Sequence, residues 1–232
     1  MSGERMTIHT PDGAFGAYVA RPTADKAPAV VVIQEIFGVN AVMRGVADWL
    51  ASAGFLAVCP DLFWRIEPGI DITDQSDAEW KKAFELYNAF DVDAGVKDIA
   101  ATIDAIRQDP RCTGKVGAVG FCLGGLLAYL TATRTDADAA VGYYGVGIDK
   151  YVAEAEKLAQ PLLLHVAEAD QFVPPPAQAL IKDALAMHTN VELYAYPGRD
   201  HAFARVGGQH YDAADAKLAN DRTLAFLKKA LG

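Results

Sequence analysis

Residues 115–132 of this 232-residue chain read KVGAVGFCLGGLLAYLTA. The first part, Lys115–Phe121, predicts a strand, and the apolar second part, Leu123–Ala132, predicts a helix that begins at once. The letters GFCLG at this junction surround Cys122 with glycines, a Gly-x-Cys-x-Gly pattern typical of a strained strand-to-helix turn. The small residues let strand and helix approach closely, so the turn holds the sulfur at the end of the strand.

Cys122 is therefore the predicted nucleophile of the chain. The adjoining helix N-terminus favours a thiolate at this position through its N–H groups and its dipole. A structural cysteine in a glycine-rich packing turn is the alternative interpretation. Cys59 ends an apolar strand and Cys112 lies in a PRCTG turn, so neither has a strand-to-helix context and both are interpreted as structural.

Strands and helices alternate on both sides of this turn. The predicted strands are Met6–His9, Ala14–Ala20, Ala29–Ile33, Phe55–Cys59, Lys115–Phe121, Ala139–Tyr144, Leu162–Ala167 and Val191–Tyr196. The predicted helices are Asn40–Ala53, Asp77–Asn88, Asp91–Gln108, Leu123–Ala132, Lys150–Leu158, Ala177–Met187 and Asp212–Leu231. This alternation predicts an α/β fold, a mostly parallel twisted sheet with helices on both faces. We expect a single domain over residues 1–232.

Two loops after later strands carry the partners that a nucleophile needs. Asp170 follows strand Leu162–Ala167, and His201 follows strand Val191–Tyr196. The chain order nucleophile, acid, histidine is that of α/β-hydrolases, so we predict this fold and a Cys122, Asp170 and His201 triad. His201 would pair with the thiolate or accept the thiol proton, and Asp170 would fix the tautomer of the imidazole.

Other titratable residues have competing interpretations. Glu168 and Asp200 are alternative candidates for the acid, ranked below Asp170. His165 lies inside an apolar strand and is interpreted as a core residue with satisfied hydrogen bonds. The other histidines show no metal-ligand spacing, and no Walker A or dinucleotide motif occurs, so we expect neither metal nor cofactor.

Composition restricts the location and the partners. The net charge of −9 disfavours nucleic acid and anionic membranes, which both select basic surfaces. No apolar run approaches the roughly 18 residues of a membrane helix, and the N-terminal six residues do not predict a signal peptide. Three cysteines are too few and too irregular for a secreted disulfide scaffold. We expect a cytoplasmic monomer that acts on a small molecule.

Several segments together resemble dienelactone hydrolases (carboxymethylenebutenolidases), and the resemblance covers almost the whole chain. These segments are QEIFGVN at 34–40, CPDL at 59–62, GFCLGG at 120–125, VGYYGVG at 141–147 and HAFAR at 201–205. The resemblance implies hydrolysis of a small lactone or ester, of the dienelactone-to-maleylacetate type, through a thioester acyl-enzyme.

The same resemblance implies roles for residues that the pattern of the chain does not single out. It implies that Glu35 is a buried glutamate that interacts with the resting cysteine and moves when substrate binds. It implies that the backbone N–H groups of Ile36 and Leu123 form the oxyanion hole, and that Arg205 binds a substrate carboxylate. Tyr144, Tyr87 and Phe37 would line the pocket.

One position departs from the family pattern. The family has a second substrate-binding arginine where this chain has Trp80, so Trp80 is the substrate-binding candidate at this position. Lys81 and Lys82 follow it and are candidates to replace the charge of the arginine, although a lysine gives a point charge with a different reach. A broad carboxylesterase that acts on less polar esters is therefore an alternative to a dienelactone hydrolase. From a different class, a non-catalytic ligand-binding or thiol-sensing protein of the same fold is a further alternative, although neither role requires an ordered triad.

Overall fold

The computed structural model describes residues 3–232. Met1 and Ser2 belong to the segment for which no signal peptide is expected, and they lie outside the described residues. The chain divides into two compact units, the first ending at Ala118 and the second running from Val119 to Gly232. The expected single domain stays a prediction.

The first unit combines an antiparallel hairpin with parallel strands. Strands β1 (Glu4–Thr10) and β2 (Gly13–Ala20) pair antiparallel, and β2 also pairs antiparallel with β4 (Leu56–Pro60). Strand β3 (Ala27–Ile33) pairs in parallel with β4. The order is β1-β2-β4-β3, followed by β5 (Cys112–Phe121), whose residues 112–118 belong to this unit. Strands β3 and β4 are buried almost throughout, as their unbroken apolar sequences predict.

Each helix of the first unit begins just after a polar side chain. Asn40, Ser76 and Asp91 accept hydrogen bonds from the first backbone N–H groups of the helices that follow them. These side chains satisfy donors that have no partner inside the helix, and so they fix where each helix begins. The three helices are α1 (Ala41–Ser52), α2 (Asp77–Ala89) and α3 (Val92–Arg107).

The second unit continues the parallel arrangement. It holds the last residues of β5, followed in order by β6 (Ala139–Tyr143), β7 (Leu162–Ala167) and β8 (Val191–Tyr196). The pairs β6–β7 and β7–β8 are parallel, so loops that follow these strands emerge at one edge. The helices of this unit are α4 (Leu123–Arg134), α5 (Pro175–Leu185) and α6 (Ala213–Leu231).

The structure confirms the predicted α/β fold and differs from it in one element type. The predicted helix Lys150–Leu158 is a 3₁₀ helix over Ile148–Lys157. At its two ends, backbone hydrogen bonds join residues three apart, and Tyr129 Oη donates to the carbonyl oxygen of Tyr151 at 3.1 Å. In a regular α-helix that carbonyl would accept from residue 155, so the tyrosine takes an acceptor that the α form needs.

His165 on β7 is a core residue, as predicted. It is 1% exposed, and its Nδ1 and Nε2 are hydrogen-bonded to Tyr196 Oη at 2.8 Å and Thr223 Oγ1 at 2.9 Å. Burial and then the charge of Arg222 lower the pKa of His165 to about 3. Both partners are neutral hydroxyl groups, so the imidazole is neutral at physiological pH.

We predict that acid destabilises the protein through His165. Below pH 6.5 the unfolded chain binds a proton at this histidine that the native state takes up only near pH 3. Between pH 6.5 and pH 4.5 this linkage removes about 2 kcal/mol from the free energy of unfolding. Urea unfolding at several pH values in this interval measures the loss. In a His165→Gln variant the free energy of unfolding should depend less on pH, because the unfolded chain then takes up one proton fewer. Equal pH dependence in both proteins would contradict the prediction.

Candidate active site

The turn at Cys122 has the strained geometry that its sequence predicts. Cys122 has φ 58° and ψ −116°, and it occupies the residue immediately before α4. A Cβ on Gly120 would lie 1.9 Å from the carbonyl oxygen of Gly124, and one on Gly125 would lie 2.5 Å from the carbonyl oxygen of Tyr143. Only glycine fits at both places, so the close approach of strand and helix depends on them.

Asp170 and His201 meet at the ends of the neighbouring strands β7 and β8. The Nδ1–H group of His201 donates to Asp170 Oδ2 at 2.8 Å. The other oxygen, Asp170 Oδ1, accepts from the backbone N–H of Phe172 at 2.8 Å. Asp170 and His201 are 3% and 7% exposed, so this hydrogen bond lies in a dry environment, which strengthens it.

The two alternative acids have other partners. Asp200 Oδ1 accepts from the backbone N–H of His201 at 2.6 Å, and its Oδ2 lies 3.6 Å from Nδ1 of His210. Glu168 forms an ion pair with Lys182 at 3.7 Å. The imidazole hydrogen bond of His201 therefore goes to Asp170, the acid ranked first from the sequence.

Cys122 lies within hydrogen-bonding reach of His201. Burial alone would lower the pKa of His201, but the charge of Cys122 and the hydrogen bonds of the imidazole with Asp170 and Cys122 outweigh it and raise the pKa above its usual value. The surroundings of His201 thus favour the protonated, imidazolium form. An imidazolium beside a cysteine is one of the arrangements by which proteins activate a sulfur nucleophile.

Aromatic rings enclose the imidazole of His201. The ring of Phe172 lies edge-on with centroids 4.9 Å apart, and the ring of Tyr144 lies edge-on at 5.1 Å. Tyr144 also contacts Phe203, at 5.7 Å. Sequence reasoning missed Phe172, although its place two residues after Asp170 is a usable signal. These rings restrict the orientation of the imidazole and keep water from it.

Arg205 lies in the same loop, four residues after His201. It is 4% exposed, and burial lowers its pKa to about 10, so the guanidinium stays charged at neutral pH. A charge this deeply buried is costly, and proteins keep such groups where a charged partner or ligand compensates. The loop therefore contributes a cation as well as an imidazole.

In the first unit, Glu35, Ile36 and Phe37 lie directly after β3 and are all 5% exposed or less. The side chain of Gln34 fixes this segment, because its Oε1 accepts from the backbone N–H of Leu62 at 3.0 Å. Its Nε2 donates to the carbonyl oxygen of Glu35 at 3.4 Å. The QEIF letters thus form an internally braced loop that buries a carboxyl group.

An aromatic cluster covers Phe37. Trp80 lies edge-on to Phe37 at 5.0 Å and stacks on Phe84 at 5.6 Å. Of the two lysines considered as replacements for an arginine, Lys82 is ion-paired with Glu67 and Lys81 is exposed. Tyr87 is half-buried on the same helix, α2. The cluster of Phe37, Trp80 and Phe84 is therefore apolar where the family pattern has a cation.

The described residues were compared with the requirements of a metal site and of a membrane-spanning helix, and they meet neither. Residues 3–232 contain no group of three or more histidine, cysteine, aspartate or glutamate side chains placed to hold a metal. None of the helices over the same range is long and apolar enough to cross a membrane. Cys59 and Cys112 are buried and form no disulfide bond within the described residues, and burial and then the charge of Asp61 raise the pKa of the Cys59 thiol.

Comparison with known proteins identifies the relatives of this chain. The model of the dienelactone hydrolase family matches residues 15–231. A putative carboxymethylenebutenolidase of Azospirillum brasilense is 50% identical, with 95% of this chain and 96% of that protein covered. The carboxymethylenebutenolidase of Pseudomonas putida is 43% identical, with 98% and 97% covered.

A solved structure agrees with these relatives. The crystal structure of a putative dienelactone hydrolase from Klebsiella pneumoniae matches with a TM-score of 0.86 at 27% identity, covering 98% of each chain. The fold is thus an α/β-hydrolase fold, and the chain is a hydrolase of carboxylic ester or lactone bonds. Sequence and structure together show that the chain belongs to the dienelactone hydrolase family.

Proposed function

We propose that the chain opens a small lactone of the dienelactone type, giving a maleylacetate-type product, with Cys122 as nucleophile. The observation that carries this proposal is the 2.8 Å hydrogen bond between His201 and Asp170 beside Cys122 on its strained turn. Relatives named carboxymethylenebutenolidase, at 43% identity and nearly full coverage, support the lactone as substrate.

In the first half of the reaction, the thiolate of Cys122 attacks the carbonyl carbon of the substrate. The backbone N–H of Leu123, at the start of α4, and that of Ile36 stabilise the negative charge on the carbonyl oxygen. The carbon–oxygen bond of the ester then breaks, the leaving oxygen takes a proton from the imidazolium of His201, and a thioester remains.

In the second half, His201 is neutral and acts as a general base. It removes a proton from water, the resulting hydroxide attacks the thioester carbonyl, and the carbon–sulfur bond breaks. The carboxylic acid product leaves and the thiolate of Cys122 returns to its place beside the imidazolium. Asp170 stabilises the charged imidazole in both halves through the Nδ1 hydrogen bond.

Two residues assigned through the resemblance complete this scheme. Glu35 is 2% exposed, consistent with a buried carboxyl group that interacts with the resting cysteine and moves on substrate binding. Arg205 supplies the charge for a substrate carboxylate, and its planar fork suits two parallel hydrogen bonds. No cofactor is needed for any step of this scheme.

A second candidate function is a carboxylesterase for less polar esters. The cluster of Phe37, Trp80 and Phe84 favours it, since aromatic faces bind apolar substituents better than carboxylates. Lys82, engaged with Glu67, does not supply a free replacement for the missing arginine. Both candidates use the same nucleophile and differ only in the substrate.

A binding or thiol-sensing role is disfavoured, because neither requires an acid bonded to the histidine beside the cysteine. Cys59 and Cys112 are buried and not disulfide-bonded, which suits a reducing compartment, and we place the enzyme in the cytoplasm as a monomer. We propose neither a membrane partner nor a nucleic-acid partner for the enzyme.

The first prediction concerns Cys122. Cys122→Ala should lower kcat/KM at least about 1000-fold for a carboxylate-bearing dienelactone, because the thioester can no longer form. Steady-state hydrolysis of the dienelactone and of p-nitrophenyl acetate by both proteins measures this loss. A dienelactone preference in the wild type supports the first candidate, and a neutral-ester preference supports the second. Unchanged hydrolysis by the alanine variant rejects both.

The second prediction separates Asp170 from its neighbour Asp200. Asp170→Asn should lower kcat/KM about 100-fold or more, because it replaces the carboxylate that accepts the Nδ1–H hydrogen bond and that, after the charge of Cys122, raises the pKa of His201. Asp200→Asn is the matched control, and it should lose less than about 10-fold, since its contact is with the backbone of His201. Equal losses in the two variants would reject Asp170 as the acid.

The third prediction concerns substrate charge. Arg205→Lys should raise KM for the carboxylate-bearing dienelactone about 10-fold or more, since an ammonium group cannot reproduce the guanidinium fork. The same variant should change kcat/KM for p-nitrophenyl acetate less than about 3-fold. Because Arg205 is buried, urea unfolding of the variant serves as the folding control. A similar loss on both substrates would argue against a carboxylate-binding role.

A further inference from the structure

Backbone strain in the described residues is concentrated around the proposed nucleophile and base. Residues 3–232 hold three non-glycine residues with positive φ, namely Cys122 at 58°, Tyr144 at 37° and Ala202 at 63°. Cys122 is the proposed nucleophile and Ala202 directly follows His201. Such strain persists where the surrounding structure enforces it, and it is frequent at active sites. Of the three, Tyr144 carries a polar side chain that has no proposed chemical role beyond lining the pocket.

The hydroxyl group of Tyr144 is buried and lacks a hydrogen-bond partner among the described residues. The residue is 2% exposed, and its Oη is one of few buried side-chain atoms in this condition. Leaving a buried hydroxyl unpaired is unfavourable, and each such case in a native protein calls for an explanation. Burial and then the nearby charge of Cys122 raise the pKa of Tyr144 well above its usual value, so the hydroxyl keeps its proton.

The neighbouring residue, Tyr143, shows the ordinary arrangement. Its Oη donates to Asn220 Oδ1 at 3.0 Å and is hydrogen-bonded to Thr223 Oγ1 at 2.6 Å. It is as fully buried as Tyr144. Two adjacent buried tyrosines thus differ in that one has protein partners for its hydroxyl and the other is strained and has none.

We propose that Tyr144 is a catalytic residue whose hydroxyl donates a hydrogen bond to the leaving-group oxygen as the ester bond breaks. The proposal rests on the proposed hydrolytic function of Cys122 and His201. The ring of Tyr144 packs against the ring of His201, the group that protonates the leaving oxygen, with centroids 5.1 Å apart. The proposed donors to the carbonyl oxygen are other groups, the backbone N–H groups of Leu123 and Ile36.

The proton of Tyr144 is shared and is not transferred in this step. The carbon–oxygen bond breaks with its electron pair left on oxygen, and His201 supplies the proton that this oxygen finally carries. The tyrosine hydroxyl stabilises the charge that develops before that transfer is complete. The contribution of the Tyr144 hydroxyl to the rate of bond breaking therefore grows with the basicity of the leaving group.

The test compares Tyr144→Phe with Tyr143→Phe on two acetates. Tyr144→Phe should lower kcat/KM for phenyl acetate about 10- to 100-fold and for p-nitrophenyl acetate much less, because p-nitrophenolate needs less stabilisation. Its urea midpoint should stay unchanged or rise, since an unpaired hydroxyl is removed. Tyr143→Phe should lower the urea midpoint and leave both kcat/KM values nearly unchanged.

Thiol alkylation by iodoacetamide provides a second measurement. Wild type and Tyr144→Phe should react at the same rate, because the hydroxyl is assigned to the substrate and not to the resting thiolate. Slower alkylation, an equal loss on both acetates, or no loss on either would overturn the proposal. Failure of the proposed function gives a different result, namely wild-type hydrolysis that survives Cys122→Ala.

Discussion

The contact between Gly120 and Gly124 is the constraint on which the rest of the candidate site depends. No side chain fits between the end of β5 and the first turn of α4, since a Cβ on Gly120 would lie 1.9 Å from the carbonyl oxygen of Gly124. This approach makes the chain reverse within one residue, and Cys122 takes φ 58° as a result. The sulfur is thereby held before a helix N-terminus, within reach of His201.

Two buried histidines of the second unit show how partners decide the charge of an imidazole. His165 is hydrogen-bonded to two hydroxyl groups, and burial lowers its pKa to about 3. His201 is also buried, yet the charge of Cys122 and the hydrogen bond that His201 donates to Asp170 raise its pKa above the usual value. Desolvation acts in the same direction on both, so anionic partners account for the opposite outcome. Burial by itself would leave His201 unable to hold a thiolate.

The sequence was sufficient for the order of strands and helices and for the candidate nucleophile, because both follow from local patterns. It ranked Asp170 above Glu168 and Asp200, but it could not show which of these acids bonds the histidine, since that depends on where side chains point. Hydrogen-bond geometry assigns the imidazole to Asp170. The sequence also did not predict contacts between residues far apart in the chain. One is the contact of Phe172 with His201, and another is the hydrogen bond that Tyr129 donates to a carbonyl oxygen of the 3₁₀ helix.

Under the proposed function, bond breaking and substrate recognition fall to different residues. Cys122, His201 and Asp170 act on the ester carbonyl, and Arg205 recognises the charge of the substrate. A buried guanidinium gains most from an anion that replaces the lost hydration. A single carboxylate on the substrate would therefore compensate Arg205, whereas the cluster of Phe37, Trp80 and Phe84 in the first unit favours uncharged substituents over a second carboxylate.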